Sequence, residues 1–206
     1  MAQVRPYRGV EAADRVAERR RRFLEAGLDI LGSDSDLSEL TVRTICRQAG
    51  LALRYFYESF TDKDDFVAAV FDWVIADIAA TTQAAVAVAR PEEQTRAAMA
   101  NIVRTIVADP RVGRLLFSSH LANPVLARKR VEAVALMAML SSQQVVTTLQ
   151  VPENDKVRAT AYFVVGGVVQ TISAWLAGDI ELDPEHLVDQ LASILDELAD
   201  PNLYRT

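Results

Sequence analysis

Apolar side chains recur along this chain at spacings of three and four residues, which is the period of an α-helix. An early example is the set Phe23, Ala26, Gly27, Ile30 and Leu31, whose members fall on one helical face. The sequence has no alternating apolar and polar run bounded by hairpin dipeptides, the pattern that predicts β-strands. The pattern therefore predicts an all-α fold.

Prolines that follow capping residues mark where several of these helices begin, because proline is favoured at the first helical position. Three such pairs are Asp109-Pro110, Asn123-Pro124 and Asp183-Pro184. Together with the apolar periodicity they predict nine helices, at roughly 11–32, 41–49, 53–60, 62–89, 91–108, 110–121, 124–149, 153–177 and 184–199. Gly27 lies inside the first helix, where it costs about 1 kcal/mol relative to alanine, and it predicts a close approach of another helix.

Residues 41–60 contain two short predicted helices joined by a tight turn. Thr41 is the expected N-cap of the first helix, and Gly50 supplies the left-handed turn that ends it. The apolar side of the pair consists of Val42, Ile45, Cys46, Ala49, Leu51, Leu53, Phe56 and Phe60. This is the pattern of a helix-turn-helix, whose second helix enters the major groove of DNA.

The outward side chains of the second helix, Arg54, Tyr55 and Glu58, include two that suit DNA. Arginine donates two hydrogen bonds to guanine, and tyrosine contacts a thymine methyl group or a phosphate. Thr41 and Arg43, at the start of the first helix, are placed to meet the DNA backbone. The alternative is a helix-turn-helix that serves only for packing.

The same segment resembles the TetR family of bacterial transcription regulators. The resemblance lies in Ile45-Cys46-Arg47-Gln48-Ala49-Gly50-Leu51, in Phe56-Tyr57-Glu58-Ser59-Phe60 and in Lys63, and it covers roughly residues 15–75. It implies phosphate contacts by Tyr57 and Lys63, and backbone or base contacts by Thr41, Arg43, Arg54 and Tyr55. Two departures are Cys46, where the family has a small alanine, and Ala52, where a serine or threonine would cap the recognition helix.

Other basic residues near the motif have two interpretations each. Helical spacing spreads Arg19, Arg20, Arg21 and Arg22 around the helix axis, so one or two of them either meet phosphate or stay solvated. Arg5 and Arg8 either form an arm in the minor groove or belong to a frayed terminus. The Tyr57 ring is equally compatible with core packing and with a phosphate contact.

Residues 159–178 carry no charge, and a run of this length could span a bilayer. Its polar residues, its two central glycines and the acidic residues that follow argue against a membrane. A helix that is apolar on all sides must be buried on all sides, and a second copy of the chain would cover the side that its own domain leaves open. The predicted homodimer interface comprises Gly166, Gly167, Leu187, Leu191, Ile194 and Leu195. A dimer of this kind reads a palindromic DNA site.

The longer helices of the body could enclose a small-molecule pocket, as the resemblance implies. Candidate lining residues are Trp73, Met99, Phe117, His120, Met137, Gln143, Tyr162, Phe163 and Gln170. The scarcity of charge among them favours a largely apolar effector. Plain core packing is the alternative for each residue, and His120 is either a polar anchor or a histidine satisfied at a helix end.

Composition narrows these interpretations. The chain has 206 residues and a net charge of −6, but its first 60 residues hold ten basic and nine acidic residues, so the acidity lies in the body. DNA binding needs local rather than net positive charge. The single cysteine, Cys46, excludes an internal disulfide, and together with His120 and His186 it makes no zinc site, so neither a metal nor a cofactor is expected.

Three further expectations follow from the whole sequence. The N-terminus has no apolar stretch of signal-peptide length, which favours a cytoplasmic protein. Ser118-Ser119-His120 does not predict an enzyme, because adjacent residues of a helix do not face each other. We expect a DNA-binding domain over residues 1–61 and an effector-binding and dimerisation domain over 62–206. The alternative function is a helical protein–protein interaction module that does not bind DNA.

Overall fold

The structure is a computed structural model, and it describes residues 8–33, 40–118, 123–150 and 152–198. Within these residues the chain forms nine α-helices and no strand, which confirms the predicted all-α class. The helices are α1 (Arg8–Leu31), α2 (Val42–Ala49), α3 (Leu53–Ser59), α4 (Lys63–Val88), α5 (Gln94–Ala108), α6 (Pro110–Phe117), α7 (Pro124–Leu149), α8 (Asp155–Ala177) and α9 (Pro184–Glu197).

The predicted start signals are present as helix caps. The side chains of Asp109, Asn123 and Asp183 accept hydrogen bonds from backbone N–H groups in the first turns of α6, α7 and α9. The helix expected from residue 91 begins with the short 3₁₀ turn Pro91–Glu93, which leads into α5. The expected extension of α6 to residue 121 lies outside the described residues.

The N-terminal core is built around four phenylalanine rings. Phe23 of α1 meets Phe56 and Phe60 edge-on at centroid distances of 5.7 and 5.9 Å, and Phe66 of α4 packs 5.2 Å from Phe60. All four side chains are buried. Aromatic contacts of this geometry add to the stabilisation that burial gives, so α1, α3 and α4 are held to one another by one cluster.

Gly27 allows α1 and α4 to approach closely, as predicted. A Cβ atom at residue 27 would lie 2.7 Å from Phe66 Cζ and closer still to Val70 Cγ2. A real Cβ does not tolerate such a separation, so a side chain here would push α4 away from α1. The glycine therefore contributes to the position of α4, which leads from the helix-turn-helix into the body.

One buried cluster extends across the predicted domain boundary at residue 61. It includes Phe23 and Ile45 from the N-terminal helices, Val67 from α4, Leu115 from α6 and Leu126 from α7. A second cluster joins α5, α8 and α9 through Val103, Ile106, Ile172, Leu187, Val188 and Leu191. The N-terminal helices thus share their core with α4, α6 and α7.

Polar contacts also join α6 to α1. Arg111 makes ion pairs with Asp29 of α1 and with Asp109, and Arg114 donates to the carbonyl oxygen of Gly32 just after α1. Asp29 accepts a further hydrogen bond from Gln48 of α2 at 3.3 Å. These contacts connect the body to the helix-turn-helix by a second route, in addition to the continuous chain through α4.

The apolar helix α8 packs mainly along α7, with a smaller contact to α6. Few of its residues are buried, among them Val157, Ala161 and Ile172. By length and composition α8 is also apolar enough to cross a membrane. Phe163 is 70% exposed, and apart from the adjoining backbone of α8 itself, no described atom lies within 4 Å of a Cβ built on Gly166 or Gly167. The described residues therefore leave one long face of α8 uncovered.

The predicted interface is corrected at two positions of α9. Leu187 and Leu191 are buried in the second cluster, where α9 packs on α5 within the same chain. They offer no surface to a partner, because the amphipathic face of α9 satisfies its burial internally. Ile194 is 47% exposed and Leu195 is half-buried. The outward surface therefore comprises α8 and the end of α9.

Candidate DNA-binding surface

The helix-turn-helix is formed by α2 and α3 and begins with a side-chain cap. Thr41 Oγ1 accepts a hydrogen bond of 3.2 Å from Thr44 N, as expected of an N-cap. Gly50 ends α2 in the left-handed conformation, with φ 63°, and its N–H donates to the Arg47 carbonyl oxygen at 3.2 Å. Only glycine takes this conformation at little cost. The predicted turn is therefore confirmed.

The recognition helix α3 lacks a side-chain cap. Ala52 occupies its N-cap position with extended backbone and makes no capping hydrogen bond, as the sequence predicts. Phe56 is the buried residue of α3, and Phe60 turns back into the core just after the helix ends. The prediction that Leu53 points inward is wrong, because its side chain is 47% exposed at the first position of this seven-residue helix.

The outer face of α3 brings Arg54 and Tyr55 together. Arg54 Nη2 donates to Tyr55 Oη at 2.6 Å, and the Arg54 guanidinium carbon lies 4.6 Å from the centre of the Tyr55 ring. The hydrogen bond to Tyr55 is the main cause that raises the pKa of Arg54 above its ordinary value. Arg54 is exposed, whereas Tyr55, which was expected to point outward, is half-buried and packs against the N-terminal core cluster.

Tyr57 contacts the core and is also exposed, so core packing is observed and the phosphate contact stays a prediction. Its ring meets the buried Phe56 ring edge-on at 5.4 Å, and its side chain is nevertheless 59% exposed. The body of the ring therefore packs on the core while the remaining surface is free for another molecule.

The remaining predicted contact residues lie at helix N-termini. Thr41 and Arg43, at the start of α2, are exposed, and Lys63, the first residue of α4, is half-buried. The N-terminus of α4 is capped by Asp62, whose Oδ1 accepts from Asp65 N at 2.8 Å. Helix N-termini carry partial positive charge and attract phosphate, so these positions are suited to the DNA backbone.

Three of the four consecutive arginines of α1 reach the helix-turn-helix, which sequence reasoning did not foresee. Arg22 Nη2 donates to the Ala49 carbonyl oxygen at 2.8 Å, and Arg20 donates to the Ser59 carbonyl oxygen. Arg19 lies 4.5 Å from the Tyr55 ring centre. Arg21 instead pairs with Glu18 and Glu25 of its own helix. The missed signal was the helical angle, which places residues 19, 20 and 22 on one broad arc and residue 21 opposite.

Cys46 lies on the buried face of α2, where it packs as a small apolar residue. It is buried in the N-terminal core cluster, and burial raises the pKa of its thiol. No group of three or more histidine, cysteine or acidic side chains that could hold a metal occurs in the described parts of the chain.

The predicted ligand-lining residues do not converge on one site. Trp73 packs against the N-terminal cluster, Met99 against the second cluster, and Phe117 against both. Gln143, Tyr162, Phe163 and Gln170 are exposed, and Met137 is half-buried. His120 lies outside the described residues. In the single chain these residues are therefore divided between the two clusters and the surface, and the pocket that they would form stays a prediction.

Two surface grooves of about 310 and 300 Å³ occur on the body, and the first includes the predicted lining residue Phe163. The first lies beside α8 and is lined by Ala159, Thr160, Phe163 and Leu198. The second runs between α5 and the start of α9.

Arg130 of α7 is partly buried beside α6. Its Nη2 donates to the Leu115 carbonyl oxygen at 2.7 Å, and its buried Nε has no hydrogen-bond partner among the described atoms. Burial lowers the pKa of this guanidinium.

Solved structures with this fold include transcription regulators from several bacteria. A TetR-like regulator from Rhodococcus sp. RHA1 is 18% identical over 91% of this chain and 97% of its own, with a TM-score of 0.60. A TetR family regulator from Marinobacter aquaeolei VT8 is 20% identical over 88% and 97%, with a TM-score of 0.56. The regulator FadR from Bacillus subtilis, solved with stearoyl-CoA, is 16% identical over 85% and 96%, with a TM-score of 0.65.

These likenesses confirm the TetR resemblance at the level of the fold. Each likeness covers 85–91% of this chain, so it extends well beyond the helix-turn-helix. At these identities the fold is what the likeness establishes. No protein-family model matches the sequence, and no curated protein does so either.

Proposed function

We propose that this protein is a DNA-binding transcription regulator of the TetR type. The observation that carries the proposal is the outer face of α3, where Arg54 and Tyr57 are exposed and Tyr55 is half-buried, while Phe56 anchors the helix in the core. A short helix anchored on one side and polar on the other suits the major groove. The exposed Thr41 and Arg43 and the half-buried Lys63 supply backbone contacts at its edges.

In this proposal the chain acts as a homodimer on a palindromic operator. Residues 1–61 serve DNA binding, and residues 62–206 serve effector binding and dimerisation in the cytoplasm. The uncovered face of α8, with Phe163, Gly166 and Gly167, supports a second copy as its cover, because an apolar face of this length is costly in water. Repression, with release by a small and largely apolar effector, completes the proposed mechanism.

The effector part has two supports. The FadR structure contains stearoyl-CoA, a ligand with a long apolar chain and several anionic groups. In this protein the buried Nε of Arg130 lacks a partner within the described atoms, and an acidic group is the ordinary partner of a buried guanidinium. A ligand that binds the two states of the body unequally would shift the separation of the two recognition helices.

DNA binding is tested by titrating a labelled random-sequence duplex at rising salt concentration. The expected result is binding that weakens steeply with salt, since each phosphate contact releases counterions. Arg54→Ala and Lys63→Ala should weaken binding, whereas Arg21→Ala removes the same charge from a residue paired within α1 and should not. A protein that binds no duplex at low salt would favour the protein-interaction alternative.

The effector is tested by adding stearoyl-CoA to a preformed complex of the protein with DNA. We expect the complex to dissociate, and we expect Arg130→Gln to dissociate less readily at the same ligand concentration. An unchanged complex at saturating ligand would contradict an acyl-CoA effector while leaving DNA binding intact.

A further inference from the structure

Arg19 of α1 contacts two side chains of the recognition helix that are three residues apart. Its guanidinium carbon lies 4.5 Å from the centre of the Tyr55 ring, and its Nη2 lies 3.5 Å from Glu58 Oε2. The Arg19 side chain is 24% exposed and that of Glu58 is 49% exposed. Arg19 therefore contacts α3 from the neighbouring helix α1, and most of its side chain is shielded from water.

Glu58 poses an electrostatic difficulty for a DNA-binding helix. It lies one turn after Arg54 on the same side of α3, and its negative charge opposes approach to phosphate. Arg19 offsets part of that charge, so Glu58 cancels less of the positive charge of Arg54, with which it also interacts. Without Arg19, Glu58 would be left with its electrostatic interaction with Arg54.

The Tyr55 ring connects the two arginines. Both guanidinium carbons lie within 4.6 Å of its centre, and Arg54 Nη2 also donates to Tyr55 Oη at 2.6 Å. A cation close to a ring centre is attracted by the π electrons. Arg19 fixes the position of the Tyr55 ring, and the ring in turn holds the Arg54 side chain in one orientation. Arg54 therefore loses less conformational freedom when it binds DNA.

The other three arginines of this run make different contacts from those of Arg19. Arg20 and Arg22 donate to the carbonyl oxygens of Ser59 and Ala49, near the ends of α3 and α2, and so satisfy backbone groups there. Arg21 pairs with Glu18 and Glu25 on its own helix. Arg19 differs from all three because it contacts side chains that belong to the proposed DNA-facing surface.

We propose that Arg19 is a positioning residue for DNA recognition, which fixes the Tyr55–Arg54 pair and neutralises Glu58 without itself reading a base. This inference rests on the proposed function. It predicts that Arg19 affects the discrimination between a preferred sequence and other DNA, whereas a residue that only adds positive charge affects all DNA equally.

The test compares Arg19→Gln with Arg21→Gln, which removes the same charge from a position two residues along α1. Two duplexes are used: one recovered by wild-type protein from a random pool, and a scrambled duplex of the same composition. Arg19→Gln should lower the affinity ratio between them about tenfold, from the combined loss of one ion pair and one cation–π contact. Arg21→Gln should change the ratio less than about twofold.

A double-mutant cycle separates the two contacts of Arg19. In a Glu58→Gln background there is no carboxylate to neutralise, so Arg19→Gln should cost about threefold rather than tenfold. Arg19→Lys keeps the charge but not the planar contact with the ring, and it should restore about half of the lost discrimination on a logarithmic scale. A purely structural role for Arg19 would give the same loss in both backgrounds.

A measurement without DNA tests the geometry separately. In tyrosine-labelled protein, the NMR signals of the Tyr55 ring, assigned through Tyr55→Phe, should shift in Arg19→Gln and stay in place in Arg21→Gln. Unmoved Tyr55 signals, or equal affinity ratios in the two variants, would overturn the inference. If wild-type protein selects no duplex while the Tyr55 signals shift as expected, the proposed function fails and the contact of Arg19 with α3 stands.

Discussion

The two helices of the helix-turn-helix differ in the residues that precede them. Thr41 caps α2 with its side chain, and Ala52 leaves α3 without such a cap. Both facts are readable from the sequence, because an N-cap depends on one side chain and the backbone two or three residues later. Gly27 and Gly50 are readable for a similar reason, since close approach and a positive φ each favour glycine.

The missing cap of α3 leads to a prediction with opposite signs at two positions. Ala52→Ser should raise the free energy of unfolding by about 1 kcal/mol, because it supplies an acceptor for an N–H group of the first turn. Thr41→Ala should lower it by about 1 kcal/mol, since the bond to Thr44 N is lost. Urea-induced unfolding followed by circular dichroism measures both changes, and two changes of the same sign would contradict the assignment of the caps.

Side chains that act over long sequence separations were not predictable. The contacts of Arg19 with α3 and of Arg111 with α1 join residues 39 and 82 positions apart. Periodicity fixes which face of a helix is apolar, but it does not say which distant polar groups will meet. Leu53 was misplaced for a related reason, because a helix of seven residues leaves its first position at the margin of the core.

At the scale of helices, α6 is attached to α1 by charge as well as by packing. Arg111 pairs with Asp29 and with Asp109, and a hydrogen bond from Arg111 is the main cause that lowers the pKa of Asp109 below its ordinary value. A carboxyl group whose pKa is lowered by folding stabilises the folded state above its unfolded pKa. That contribution is lost as the pH falls through the lowered value.

Arg111→Ala should therefore destabilise the protein near neutral pH, by about 1 kcal/mol or less, since the half-exposed pairs are screened by water. The difference from wild type should shrink as the pH falls below the ordinary aspartate value of about 3.9. Arg128→Ala, which removes an arginine paired with Glu132 on α7 alone, is the matched control. A difference that grows on acidification would contradict this assignment.

The positions of the helices in the body were predictable from the sequence, but the orientation of α8 was not. Nine helices were predicted and nine are found within the described residues, with boundaries mostly within three residues. The apolar character of α8 was also readable, but its orientation was not. A helix that is apolar all round fits a pocket, a core or an interface equally well, and the structure turns Tyr162 and Phe163 outward.

In the whole molecule, the apolar face of α8 is not buried by the described residues of its own chain. Phe163→Glu places a charge in the centre of the proposed interface and should convert a dimer to a monomer, since an unpaired charge is costly to bury. Val88→Lys changes a side chain that is 87% exposed at the end of α4 and should leave the dimer intact. Sedimentation equilibrium distinguishes the two, and a monomeric wild-type protein would contradict the proposed dimer.

The acidic net charge is compatible with DNA binding if the molecule works as a pair. The first 60 residues are nearly balanced in charge, so one recognition helix supplies little attraction by itself. Two helices held at a fixed separation by the body combine their contacts on one duplex. In the proposed function, DNA binding by the residues of α3 therefore depends on the pairing of two chains through α8.

The most direct test of the central claim is selection of bound duplexes from a random-sequence pool by the wild-type protein. We expect enrichment of a palindrome whose half-sites are separated by about one helical turn or more, and loss of that enrichment in Arg54→Ala. Recovery of no preferred sequence, or of an asymmetric site that binds one chain, would contradict it.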